Sequence, residues 1–347
     1  MTTPLTIEQI AEIAQVSRST VSRVLNNHPS VRPAVRDRVL RVMREQNYAP
    51  QAAARSLASS RTDTLGLLIP RSASYTFADP FISMMIQRLT ETCNSMGYFL
   101  ILAMVTADME PGFYNRILRG RHFDGIIMLS SDIDDPVLPL LIKDRTPLVL
   151  IGSHPYFQDI VSVDVENRAG AREAVAHLIS LGHRRIGAIC GVLDMDSALA
   201  RRDGYKQALL EAGISIDPML MVEGYYTQEG GYQAMRRLLD LPDRPTAVFA
   251  SSDTMAIGAL RAAHDVGLSV PGDIAVIGFD DLLIALYANP PLTTVHQSIP
   301  EVAATAVKLL IDQIKDQRAA APVRLPTHLV VRDSCGVMLQ RSTEKGG

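Results

Sequence analysis

From Thr64 onward, short runs rich in aliphatic and β-branched residues alternate with amphipathic stretches, and few folds accept that alternation. The runs are "TLGLLIP", "YFLILAMV", "DGIIMLS" and "PLVLIGS", then "RRIGAICG", "TAVFAS" and "IAVIGFDD". Helical patterns such as "FISMMIQRLTETCNSMG" and "NRAGAREAVAHLISLG" separate them. Near-continuous apolar strands joined through helices predict βαβ units in parallel sheets covered on both faces. About 270 residues of this pattern exceed one core, so two Rossmann-like subdomains are expected. "IIMLSSD" at 126–132 and "AVFASSD" at 247–253 each close a strand with Ser-Ser-Asp. This echo points to structural repetition between the two halves.

The first sixty residues show helical spacing only. Thr6 and Gln9 form the pattern of a capping box, with Ile7, Ile10, Ala11 and Ala14 on one face of the helix that follows. "AQVS" reads as a turn, and Ser17 can cap a second helix reaching about Asn26. Its inner stripe is Val21, Val24 and Leu25, which leaves Arg18, Ser19, Ser22, Arg23 and Asn26 outward. Pro33 suits the first turn of a third helix, running to about Glu45 and burying Val35, Val39, Val42 and Met43. Two helices across a short turn, packed on a third, make a helix-turn-helix head. So small a core is marginal alone.

Charge separates this head from the rest. Residues 1–62 hold nine arginines and no lysine against Glu8, Glu12, Asp37 and Glu45, a net of +5. The whole chain is formally −3, so the remainder carries −8. A basic head on an acidic body suggests a polyanion-binding module. Hydroxyls beside arginines on the second helix suit phosphates and base edges, although a solvated polar face has the same composition. Between head and body, "YAPQAAARSLASSRTD" mixes helix-favouring Ala, Arg and Leu with loop-favouring Ser59, Ser60 and Thr62. Two turns of helix are unstable in isolation, so this linker is expected to fold conditionally.

Other function classes find little support. A hydrophobic content of 47% with 20% charged residues excludes wholesale disorder. Cys93, Cys190 and Cys335 lie far apart without a CxxC, there is no secretory core near Met1, and the apolar runs are too short to span a bilayer. A cytoplasmic protein with no membrane association is expected. His177 and His183 lack metal-ligand spacing, and no G-x-G-x-x-G, G-x₄-G-K-[ST] or G-x-S-x-G occurs. No metal, no cofactor and no catalytic set are therefore expected.

"TIEQIAEIAQVSRSTVSRVLNN", "REQNYAPQAAARSLAS", "GFDD" and "NPPLTTVHQ" follow one another in an order that resembles the lactose/galactose-repressor (LacI-type) family of bacterial transcription regulators. The resemblance spans about residues 5–336. It implies a head at 1–50, a hinge-helix linker at 51–63, an effector-binding and dimerisation domain at 64–340 and a tail at 341–347. The body would be α/β and type I periplasmic-binding-protein-like. One subdomain would hold about 64–163 and 292–324, the other about 164–291 and 325–340, with three chain crossings. The implied function is repression of carbohydrate-utilisation genes by a homodimer on pseudo-palindromic double-stranded operator DNA. A small sugar or sugar derivative would change operator affinity, a purine or nucleoside being the alternative. "LQRSTEKGG" contains no leucine heptad that could join dimers.

The resemblance also implies roles for individual residues. Arg18 would read a base in the major groove beside Ser17, Ser19 and Ser22, with Arg23 and Asn26 at the half-site edge and Thr6 on a phosphate. Leu57 would wedge into the minor groove with its mate, and Arg55 would touch phosphate. Gln51 departs from the family's usual Asn. In the body, Asp280 of "GFDD" and Arg201 of "RRDGY" would hold the effector at strand carboxyl ends. Ser252 replaces a family amide. From their place after the first strand, Tyr75, Phe77 and Phe81 of "YTFADPF" could stack on a sugar or base, with packing at least as ready a role for Phe81. Asp281 reads better as a turn carboxylate. Two rivals stay open: an α/β enzyme with a DNA-binding head, and a transport binding protein.

Overall fold

A computed structural model describes residues 5–25, 28–46, 48, 61–70, 72–105, 122–129, 132–316 and 320–336. The chain divides into two compact units, Met1–Thr62 and Asp63–Gly347.

The first unit packs α1 (Ile7–Ile13), α2 (Arg18–Leu25) and α3 (Pro33–Glu45) together. Both halves of the capping box form: the Thr6 amide donates to Gln9 Oε1 (2.8 Å) and the Gln9 amide to Thr6 Oγ1 (3.4 Å). Gln15 takes a left-handed φ of +52° in the turn between α1 and α2, and the Thr20 amide donates to Ser17 Oγ (3.2 Å) at the start of α2. Ile10, Val21 and Val39 are fully buried, with Val42 and Met43 beside them and Val35 partly buried at the rim.

The second unit holds two six-stranded sheets. In the first lobe β1 (Thr64–Ile69) leads through α4 (Ala73–Ala78) and α5 (Pro80–Ser95) to β2 (Phe99–Met104). Then come β3 (Gly125–Leu129), α6 (Val137–Lys143), β4 (Leu148–Ile151) and β5 (Ser162–Val165). The second lobe runs α7 (Asn167–Ser180), β6 (Ile186–Cys190), α8 (Asp196–Glu211), β7 (Met221–Glu223), α9 (Gln228–Leu239) and β8 (Ala247–Ala250). It continues through α10 (Asp253–Asp265), β9 (Ala275–Asp280), α11 (Leu283–Leu286) and β10 (Thr293–Gln297). Helix α12 (Ile299–Asp316) and β11 (Val323–Leu325) return to the first lobe, and β12 (Thr327–Val330) to the second.

The first sheet is ordered β11-β5-β4-β3-β1-β2, all pairs parallel. The second is ordered β12-β10-β9-β8-β6-β7, parallel except for β10–β12. Strand β3 stands fourth in one and β8 fourth in the other, so the Ser-Ser-Asp echo marks equivalent strands. Both faces of each sheet are covered: Leu65, Leu67 and Ile127 pack on one side of the first, Leu68, Ile126 and Met128 on the other. Parallel sheets require such cover.

One boundary is corrected. Residues 293–297, expected in the first subdomain, form β10, which pairs with β9 and β12 in the second sheet. The return to the first lobe begins with α12, which packs on α5, β3, β4 and β5. The chain thus passes between the sheets after Val165, after Gln297 and after Leu325. No helix of the described residues is long and apolar enough to cross a membrane.

Candidate functional site

Parallel strands end together, and a cleft opens at the carboxyl ends of both sheets. The first lobe lines it with apolar strand ends, Ile69, Leu129, Ile151 and Val163, and with Phe81 and Ile82 at the start of α5. The second lobe contributes Arg201, Ser252, Asp280 and Tyr226. Asn167 and Gln297 enter beside two of the crossings.

Arg201 is only 6% exposed and is hydrogen-bonded through two of its three nitrogens. Its Nε donates to Asn167 Oδ1 (2.8 Å), and its Nη1 to the Ser251 carbonyl (2.6 Å) and to Asp280 Oδ1 (3.3 Å). The guanidinium lies 3.7 Å from the centroid of the Phe279 ring. Gln297 Nε2 donates to the same Asp280 oxygen (2.5 Å). The motif "RRDGY" explains how α8 presents this arginine. Gly204, one turn on, faces the Arg168 carbonyl so closely that an added Cβ would lie 2.3 Å from it, and buried Tyr205 donates to the Ile186 carbonyl (2.7 Å).

Asp280 ends β9 with φ +117° and Asp281 follows at +57°, conformations costly for residues with a Cβ. The carboxyl pKa of Asp280 is pushed up to about 7: burial outweighs Arg201, and Asp79 adds repulsion. Asp79, which caps α5 through the Phe81 amide (3.0 Å), rises to about 6 by burial. Two carboxylates from opposite lobes therefore oppose each other across the cleft. Asp281 is the turn carboxylate expected, held by Arg332 (2.6 Å) and His296 (2.9 Å), whose hydrogen bonds keep its pKa low against burial.

Asp164 forms the inner wall. It accepts from Asn167 Nδ2 (2.9 Å), from the Val165 amide (2.8 Å) and from the Ser153 hydroxyl (2.7 Å), and burial raises its pKa. Ser153 also meets Asp196 of α8, and the Ile133 amide donates to the Asp194 carbonyl (2.7 Å). These contacts tie the lobes beside the cleft.

The structure sorts the expected residues. Arg201 and Asp280 are brought together, and Ser252 lines the cleft but spends its hydroxyl accepting from the Met255 amide (3.2 Å) as the cap of α10. Phe77 is 59% exposed and is not among the cleft-lining residues, whereas Phe81 is. The side chain of Tyr75 lies outside the described residues. Asp79, Asp164, Asn167, Gln297 and Tyr226 were not anticipated. Asp253 also escaped notice. It holds the loop after Asp280 by accepting from the Leu282 amide (2.8 Å) and the Thr294 hydroxyl (2.5 Å).

On the head, Arg18, Ser19 and Arg23 are exposed along one side of α2, with Ser22 half-buried. Arg18 Nε pairs with Glu8 Oε1 (3.0 Å), and both side chains stay largely in solvent. Ser17 Oγ is shared with Ser19 Oγ (2.8 Å) and Thr20 Oγ1 (2.9 Å), so it is first a cap. Thr6 is exposed at the start of α1. Asn26, Arg55 and Leu57 lie outside the described residues. Among the described residues no group of three or more His, Cys, Asp or Glu is placed to hold a metal ion.

Residues 6–51 match the bacterial regulatory proteins of the lacI family, and residues 175–335 match the periplasmic binding protein-like domain. The HTH-type transcriptional regulator CelR of Thermobifida fusca is 39% identical over 334 residues, 95% of this chain and 98% of the relative. A solved transcriptional regulator CelR–cellobiose complex superposes with a TM-score of 0.74 at 36% identity, covering 95% of this chain and 99% of that one. The lac repressor dimer bound to operator and the anti-inducer ONPF superposes at 0.85 with 28% identity, covering 96% and 99%.

Proposed function

The chain belongs to the lacI family of bacterial regulatory proteins, and from that premise we propose that it is a homodimeric repressor released from or held on a pseudo-palindromic operator by an uncharged sugar. The family consists of transcription regulators rather than enzymes, and this chain is a DNA-binding regulator. Its place of action is then the cytoplasm, where its DNA lies.

One observation carries the sugar reading: the second lobe's wall is polar, and the first lobe sets an apolar surface of strand ends and Phe81 beside the carboxyl groups of Asp79 and Asp164. Asp280 can accept hydroxyl hydrogen bonds, with Gln297 and Asn167 alongside, while Phe81 and the strand ends cover an apolar ring face. The relative solved with cellobiose makes a β-linked glucose disaccharide the first compound to test. A purine is the second reading, because Phe81 and Tyr226 both line the cleft and an aromatic side chain can stack on a base. Thermal-shift measurement against cellobiose, ribose, glucose and hypoxanthine tests both, since a ligand of the native state alone raises its melting temperature. A shift with hypoxanthine and none with any sugar would replace the first reading by the second.

Two apolar patches support the dimer. Phe99 (72% exposed) and Ile101 lie on β2, an edge strand, and Leu283, Leu286 and Tyr287 are exposed on and after α11. Exposed apolar edges of this kind are normally covered. On DNA, Arg18 is the base-reading candidate, with Thr6, Ser17, Ser19, Ser22, Arg23 and Asn26 around it and Arg55 and Leu57 in the linker.

A further inference from the structure

The second lobe has another concavity, on the far side of α8 from the cleft. It runs along β7, the edge strand of the second sheet, between α8 and α9. Arg202 and Lys206 project into it from α8 and Arg237 from the last turn of α9, against the single carboxylate of Glu223. Met219 and Tyr225, 65% and 55% exposed, form an apolar shoulder. Arg202 meets Asp203 at 3.5 Å through Nη2, but that carboxylate is shared with Arg168 (3.8 Å), and Arg202 Nε has no acceptor among the described residues. Buried Cys190 forms part of the lining. Its thiol rises to about 11, because burial outweighs the pull of Arg202 and Lys206, so it is not a nucleophile.

The two concavities have opposite character. The cleft presents Asp79, Asp164 and Asp280 with one arginine, which already donates from Nε and Nη1 to protein acceptors. A phosphate there would meet three carboxyl groups against a single guanidinium. The outer groove presents three cations on an otherwise acidic body. We infer that this groove is a second ligand site, for a phosphate monoester carried on a small sugar-sized metabolite, distinct from the cleft and coupled to it. Arginine and lysine supply the charge-assisted donors that phosphate oxygens require, and the Tyr225 ring supplies a face for the organic part.

Coupling follows from chain adjacency. Arg201 faces the cleft and Arg202 the groove from consecutive positions of α8. Tyr226 faces the cleft and Tyr225 the groove from consecutive residues, both at φ +56°. The Tyr226 ring sits where a Cβ on Gly191 would be, 2.1 Å from the nearest ring atom, so it has little room to move independently. A ligand that reorients Tyr225 must shift Tyr226, and the effect on affinity is reciprocal.

The test uses the full-length protein, calorimetry, and three probes: glucose 6-phosphate, glucose and inorganic phosphate. Glucose 6-phosphate should bind more tightly than inorganic phosphate. Lys206→Glu with Arg237→Glu should weaken it at least about tenfold, the loss of one or more charge-assisted hydrogen bonds, while Asp280→Ala, which leaves α8 and both tyrosines unchanged, should leave it within about twofold. Circular dichroism confirms that each variant is folded. No binding of glucose 6-phosphate at millimolar concentration overturns the inference, as does affinity altered by more than that in Asp280→Ala, which would put the ligand in the cleft. Equal affinity for inorganic phosphate would reduce the site to an anion site and remove the metabolite. A sugar screen that fails at the cleft leaves this result untouched, so the two readings fail separately.

Discussion

Removing Arg201 tests the electrostatic account of the cleft most directly. At 3.3 Å from Asp280, with an effective dielectric constant of about 20, a full ion pair would be worth about 5 kcal/mol. That figure overstates what a mutation can reveal. The Asp280 carboxyl titrates near 7 even with Arg201 present, because burial opposes its charge. Without the guanidinium its pKa rises further and it simply stays protonated. The pH-dependent part of the coupling is then limited to the free energy of ionising Asp280 in the intact site. From about pH 5.5 to about pH 8.5 that is about 1.5 pKa units, or about 2 kcal/mol.

A double-mutant cycle over Arg201→Ala, Asp280→Asn and the pair, by urea unfolding followed by circular dichroism, isolates this quantity. At about pH 5.5 the carboxyl is protonated, and the coupling reflects only neutral hydrogen bonding. At about pH 8.5 it should be larger by about 2 kcal/mol. The sign for the parent protein runs the other way. A carboxyl whose folded pKa is raised stabilises fully below its unfolded pKa, so stability falls as pH rises from about 4 through about 7. Independently of pH, Arg201→Ala leaves Asn167 Oδ1 and the Ser251 carbonyl without that donor, a further loss of about 1–3 kcal/mol for each one left unsatisfied. A coupling energy equal at both pH values would refute the argument, since it would mean that Asp280 does not change charge in this range.

Gly204→Ala should destabilise by about 1–3 kcal/mol, because the new Cβ meets the rigid backbone of α7 rather than a flexible side chain; an unchanged urea midpoint would show that the helices can separate. Phe99→Lys on β2 should weaken self-association at least about tenfold, read by analytical ultracentrifugation; an unaltered dimer would take β2 out of the interface. Arg18→Ala should cost about 1–3 kcal/mol per half-site and relax preference at one base pair; a uniform loss over all sequences in gel-shift titration would assign Arg18 to phosphate.

The sequence made legible whatever local spacing controls. Thr6 and Gln9 announce their capping box, and the Ser-Ser-Asp echo locates equivalent strands in two sheets. Phe77 fails for a local reason too. One helix through "YTFADPFIS" would put Phe77 and Phe81 four apart on one face. Asp79, extended before Pro80 at φ −95° and ψ 114°, ends α4 and restarts the helical phase in α5. Only Phe81 then reaches the cleft. Asn167 and Gln297 were hidden for a different reason. Each is a polar residue at an element's end, indistinguishable in sequence from a solvated cap, and becomes a site residue because a crossing delivers it there.

On the proposed reading, the lobe that supplies a contact decides how a ligand can act on DNA. A ligand shifts the inter-lobe equilibrium only by its difference in affinity for the two arrangements. Arg201, Asp280 and Ser252 belong to the second lobe, so their hydrogen bonds are present whatever the first lobe does. The difference must come from the first lobe, chiefly from Phe81, its strand-end neighbours and Asp79. Asp280→Ala should therefore weaken effector binding without abolishing the response of bound protein. Phe81→Ala should do the reverse, preserving much of the affinity while reducing the ratio of operator affinities with and without saturating ligand. Typical couplings of about 1–3 kcal/mol correspond to a ratio of about 5–150, and loss of Phe81 should bring it toward one. Calorimetry gives the first quantity and operator titration the second. If Phe81→Ala kept the full ratio, the first lobe would not be what the ligand discriminates, and the contacts of Ser153 with Asp196 would be the next candidates for the element that differs between states.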